Sequence, residues 1–126
     1  MMEKLYKIDV TVETEYIENQ SIPGEAKYFF SYTVSIKNNG KIPAKLISRH
    51  WIITDSNEKV EEVTGLGVIG EQPRLEPKES FKYTSGTILS TPVGSMHGTY
   101  QMIADNGYKF DANIPLFSLS TPRILN

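Results

Sequence analysis

The sequence predicts an all-β protein: an antiparallel β-sandwich of immunoglobulin-like or fibronectin type III-like form with about seven strands. Three observations predict it. Apolar and polar side chains alternate at a period of two over several stretches, which puts one face of a strand in a core and the other in water. Clusters of Gly, Pro, Asn and Asp interrupt those stretches at short intervals, as hairpin connections require. No window of about 11 residues keeps apolar side chains at helical spacing without Gly, Pro or a β-branched cluster breaking it. A small barrel is the alternative way to close such strands.

The elements follow in order. Tyr6, Ile8, Val10 and Val12 share one face of a first strand, opposite Lys7, Asp9, Thr11 and Glu13. After Ile22-Pro23-Gly24, residues 27–38 give the clearest alternation, with Tyr28, Phe30, Tyr32, Val34 and Ile36 on one face. Asn38-Asn39-Gly40 ends that strand, since Asn and Gly tolerate positive φ, and with Pro43-Ala44 it predicts a crossing to the second sheet. The third strand, 44–55, is ambiguous. One parity holds Ile47, Arg49, Trp51 and Ile53, the other Leu46, Ser48, His50 and Ile52, and a one-residue slip exchanges them. The larger apolar gain from burying an indole selects Trp51 as inward and His50 as outward. Arg49 then needs a carboxylate, a place near an end of the sandwich, or a partner surface. Further strands are expected at 60–64, 80–89, 98–104 and 109–117, and residues 75–83 read as the corner that opens a strand in such sandwiches.

A chain of 126 residues fits one domain, 1–126, because division sets in beyond about 200 to 300 residues. Lys+Arg 13 against Asp+Glu 15 gives a net charge of -2, so no basic field draws it to nucleic acid or anionic lipid. The lack of cysteine excludes disulfides, thiolate metal sites and cysteine nucleophiles. No run of about 18 apolar residues is present and charges interrupt the N-terminal stretch, so a cytoplasmic protein is expected.

Gly65-Leu66-Gly67-Val68-Ile69-Gly70 has the form G-x-G-x-x-G, whose glycines let a pyrophosphate approach the backbone at a helix N-terminus. Here Pro73 and Pro77 follow in place of a helix, so the glycines read first as a bend, bulge or wide loop. The functional alternative is a nest of free amides for an anion, with Arg74 adding charge. His50 and His97 are remote in sequence, and Asp55, Glu58, Glu61 and Glu62 read as a solvated hairpin, so no metal or cofactor is expected. Ser85-Gly86 lies in a strand-like run and no nucleophile elbow exists, so no catalytic residue is assigned. Stacking on RNA bases would need Phe29, Tyr32 or Tyr83 exposed beside clustered Lys and Arg, which the sequence lacks.

Six blocks then carry a resemblance: residues 28–40 (YFFSYTVSIKNNG), 49–55 (RHWIITD), 63–70 (VTGLGVIG), 83–86 (YTSG), 91–102 (TPVGSMHGTYQM) and 114–119 (IPLFSL). In order and spacing the chain resembles the bacterial ApaG proteins, also called CorD, over nearly its whole length. The resemblance implies a fibronectin type III or immunoglobulin-like sandwich and no assigned reaction. It also implies an association with cobalt resistance, with magnesium handling and with a neighbouring diadenosine tetraphosphate hydrolase. Similar domains in eukaryotic F-box proteins and in a DNA-polymerase-interacting protein imply partner binding. The family's glycine pattern falls on Gly65, Gly67 and Gly70.

The expected function is a non-catalytic protein-binding module with an unidentified protein partner, monomeric or weakly self-associating. Its expected contact surface is the loop of Gly65, Gly67 and Gly70 with Arg74 and the turn at 91–96. The alternative is a sensor that binds a nucleotide, pyrophosphate or divalent cation at the same loop.

Overall fold

A computed structural model describes residues 4–122. Eight strands follow one another: β1 (Ile8–Tyr16), β2 (Tyr28–Asn38), β3 (Ala44–Asp55), β4 (Val60–Leu66), β5 (Arg74–Leu75), β6 (Ser80–Leu89), β7 (Val93–Ala104) and β8 (Lys109–Ser120). All pairings are antiparallel. One sheet has the order β1-β2-β6, and the other has β4-β3-β7-β8 with β5 also paired to β3. The two sheets form the expected sandwich. Besides strands, the described residues form two short 3-10 turns, Glu18–Gln20 and Pro23–Glu25.

The expected set of about seven strands lacks β5, a two-residue strand between Pro73 and Pro77 too short to show alternation. The later strands also run longer than expected: β4 reaches Leu66, β7 begins at Val93, and β8 ends at Ser120. The expected turn at 91–96 is therefore mostly strand, and Met96 is buried in the core. Gly94, which looks like a turn residue, is needed for close approach: a Cβ there would stand 2.7 Å from the Thr54 carbonyl oxygen and from a Leu89 methyl.

Alternation in β2 buries Phe30, Tyr32, Val34 and Ile36. Strand β3 uses both parities. Its pairing with β7 shifts between Leu46 and Ser48, so Ile47 is an extra, unpaired residue. Before this bulge Leu46 is buried; after it Trp51 and Ile53 are, with Arg49 on their side. Trp51 faces inward as expected, but Ile47 does not share the buried face, because the bulge resets the alternation.

Asn38 ties the two sheet crossings together. It is 1 % exposed; its Nδ2 donates to the carbonyls of Ile42 (3.0 Å) and Leu75 (2.9 Å), and its Oδ1 accepts from Gly40 N (2.8 Å). One amide thereby satisfies buried backbone groups on both the β2–β3 and β5–β6 connections.

Candidate functional site

Beyond β4 the chain makes a tight hairpin. Val68 and Glu71 exchange both backbone hydrogen bonds, at 2.8 and 2.9 Å, around a two-residue turn of Ile69 and Gly70. Both turn residues have positive φ, 43° and 79°, which is the type I′ geometry that Asn-Gly suits. A β-branched residue at the first position is a strained choice. Gly67 is required for a different reason. Its φ is 62°, and a Cβ on it would lie 2.2 Å from the Glu71 carbonyl oxygen.

Arg49 holds this loop to the sandwich. Its Nη1 donates to the carbonyls of Leu66 (3.0 Å) and Gly67 (2.8 Å), and the guanidinium lies where a Cβ on Gly65 would stand 2.8 to 2.9 Å from it. Gly67 N donates to the Ile47 carbonyl at 2.8 Å, and Gln72 Nε2 donates to the same carbonyl at 2.9 Å. The residue freed by the β3 bulge is thus the acceptor that fixes the loop. The tip is left apolar, with Leu66 75 % and Ile69 56 % exposed.

Arg49 also forms part of a cleft of about 470 Å3 between the sheets, whose walls include Tyr32, Trp51, Glu61, Ser85 and Thr87. Deeper in, the hydroxyls of Tyr83 and Tyr100 hydrogen-bond across the sheets. Burial pushes the Tyr83 phenol up to about 12, moderated by the hydrogen bond to Tyr100 and by the Arg49 charge. The Tyr100 phenol is pushed up further, again chiefly by burial.

Arg74 is committed to carboxylates and not to the glycine loop. Arg74 pairs in register with Lys45, whereas Gly65 pairs with Arg49. Its guanidinium binds Asp105 and Glu76, which raise its pKa and hold the Asp105 carboxyl below its usual range. The amides of Gly67, Val68 and Glu71 are spent on the loop's own carbonyls or on Ile47, and a strand, β5, follows the glycines. Arg49 stands out in the sequence but its acceptors do not, because backbone carbonyls leave no mark in a sequence.

His50 and His97, distant in sequence, come near each other: His50 pairs with Thr99 and His97 with Ile52. His50 Nε2 lies 3.6 Å from Glu62. The Asp55 carboxylate accepts from the amides of Asn57 and Lys59 and from the Ser90 hydroxyl, which lowers its pKa and makes it a turn-forming group. Among the described residues no group of three or more His, Asp or Glu is arranged to hold a metal ion, and no helix is long and apolar enough to cross a membrane.

Fold and site together define an all-β sandwich protein whose distinguishing device is an apolar-tipped glycine hairpin stapled by a semi-buried arginine. The ApaG domain signature matches residues 18–104. Protein ApaG of Thiobacillus denitrificans is 54% identical over 123 residues, 98% of this chain and 97% of that relative, and Protein ApaG of Ectopseudomonas mendocina is 52% identical over the full length of both. A crystal structure of the putative ApaA protein from Bordetella pertussis superposes with a TM-score of 0.93 at 50% identity, over 98% of this chain and 100% of that one. The chain belongs to the ApaG family.

Proposed function

We propose that this ApaG-family chain is a non-catalytic protein-interaction module that presents the hairpin of Gly65, Gly67 and Gly70 to a protein partner in the cytoplasm. The observation that carries the reading is the tip itself. Two large apolar side chains stand in water on a loop fixed by Arg49 and Gln72, and one of them, Ile69, occupies a left-handed backbone conformation that costs stability. Strain kept at an exposed position favours function over folding as its reason, and a rigid apolar tip loses little entropy on docking.

Binding of a nucleotide or pyrophosphate at the same loop has weaker support, because the amides of Gly67, Val68 and Glu71 and the Arg74 guanidinium are already engaged. Effects on cobalt or magnesium tolerance would then pass through the partner. Net charge -2 favours a protein over a nucleic acid as that partner.

The test compares retention of a specific protein from the source cell by the wild-type chain and by the Leu66→Asp/Ile69→Asp double variant. Loss of the partner by a variant with an unchanged urea midpoint supports the reading; equal retention sinks it. A rise in melting temperature with millimolar magnesium, cobalt, ATP or diadenosine tetraphosphate would restore the sensor reading, since a ligand of the folded state stabilises it.

A further inference from the structure

The two sheets differ in width. Strand β1 packs on β8 along one side, and among the described residues β6 of the three-stranded sheet and β4 of the wider one are the edges on the other side. The cleft of about 470 Å3 fills that place, bounded by β6 on one sheet and by β3 and β4 on the other.

Four features of the cleft concern what would occupy it. Among the described residues strand β6 pairs with β2 only, so its outer edge presents free backbone groups, and beyond Lys82 residues 83–89 carry no charge or proline to blunt that edge. The edge strand β4, in contrast, carries Glu61 and Glu62. Trp51 stands in the cleft wall, is 2 % exposed, and its Nε1 is a buried donor with no acceptor. The rings of Tyr32, Tyr100 and Phe117 pack around the indole, but none supplies an oxygen to it. An unsatisfied buried donor is costly and rare enough to need a reason. Arg49 adds a second donor, since its bonds to the loop both use Nη1. At the other end of the cleft stands Glu61, which pairs with Ile53 while Arg49 pairs with Gly65.

We propose that this cleft receives an extended peptide of a partner protein, added as a strand to β6, with an acidic residue at Arg49 and Trp51 and a basic residue at Glu61. The two charges of the cleft are four strand positions apart, roughly 13 Å. In an extended peptide, residues four apart also lie on one face, so both can point inward while the backbone pairs with β6. The inference rests on the reading of the chain as a protein-interaction module, but on a different surface from the hairpin tip.

The probe is a random twelve-residue peptide library panned on the intact chain, followed by NMR titration of the enriched peptides. Trp51 is the only tryptophan, so a single indole N–H resonance reports on the orphan donor. Enriched peptides are expected to carry an acid and a base four residues apart, to move the indole proton downfield, and to shift the amides of residues 83–88. Thr87→Glu, which puts a negative charge in the cleft wall, should weaken binding by about tenfold or more, while Thr87→Val leaves it unchanged. Glu61→Lys, at an exposed position that tolerates the exchange, should remove the requirement for the base.

Absence of enrichment, an unmoved indole, or indifference to both charge changes overturns the proposal. The same resonances shifting with protein concentration alone would identify the occupant as a second copy and overturn it equally. A partner lost by the hairpin-tip variant with a silent cleft would keep the module and remove only this site. Peptide binding in the cleft with an inert hairpin would do the reverse.

Discussion

The two long sides of the sandwich treat their edge strands differently. On one side β1 lies against β8, and Tyr6 caps the junction: it stacks on Tyr108 at 4.2 Å, contacts Phe110 at 5.5 Å, and its hydroxyl accepts from Asn106 Nδ2 at 2.7 Å. On the other side β4 and β6 are edges with a cleft between them, one guarded by glutamates and the other uncharged from residue 83 onward. The closed side spends its aromatic groups on covering edges. The open side keeps an exposed apolar tip, a strained isoleucine and an orphan indole donor. These three features lie beside the cleft, which is where a second molecule can complete the fold.

The comparison breaks most sharply at Gly67. Gly67→Val adds a clash with the Glu71 carbonyl to a positive φ, and should cost about 3 kcal/mol in urea denaturation, because the hairpin cannot relax without losing its bonds to Arg49. If Gly67→Val proves neutral, the hairpin is not a rigid element and the open side loses its fixed shape. On the closed side Tyr6→Ala should cost about 1 to 2 kcal/mol by removing the stacked pair and the Asn106 bond.

Ile69→Asn points the other way. It creates the Asn-Gly pair that a type I′ turn prefers, and should stabilise the chain by about 1 kcal/mol, visible as a raised melting temperature, while weakening partner retention. A destabilised Ile69→Asn variant would show that the isoleucine serves folding and would remove the strain argument.

A further effect is in pH. The Tyr83 phenol ionises near 10 in the unfolded chain and near 12 when folded, so the folded state holds its proton more tightly. Stability should be level up to about pH 10 and fall as the pH rises toward 12, and Tyr83→Phe should lessen that fall while the part due to the still higher Tyr100 phenol remains. An unchanged profile in Tyr83→Phe would place the loss elsewhere.

Much of the fold was legible because alternation is a local signal. Strand β2 could be read directly, and Trp51 could be turned inward on volume alone. The register of β3 could not be chosen throughout, because a bulge at Ile47 makes one parity right before it and the other right after it. Glycines misled for a related reason. Gly94 has the look of a turn residue, yet it sits in a strand that passes close to Thr54 and Leu89. The hairpin at the three glycines was visible as a loop, but not its staple. Arg49 bonds to carbonyls of Leu66 and Gly67, groups every residue has, so no side chain at 66 or 67 marks the contact. The cleft was invisible altogether, since sheet width depends on how strands are ordered across the two layers and not on any one strand's pattern.

The most direct measurement is hydrogen–deuterium exchange of the chain alone and in the complex isolated from its source cell at native abundance. The account predicts new protection at residues 65–70 and 83–88 and none at Tyr6, Tyr108 or β1. Protection confined to the β1–β8 side, with the hairpin and β6 unchanged, would contradict it.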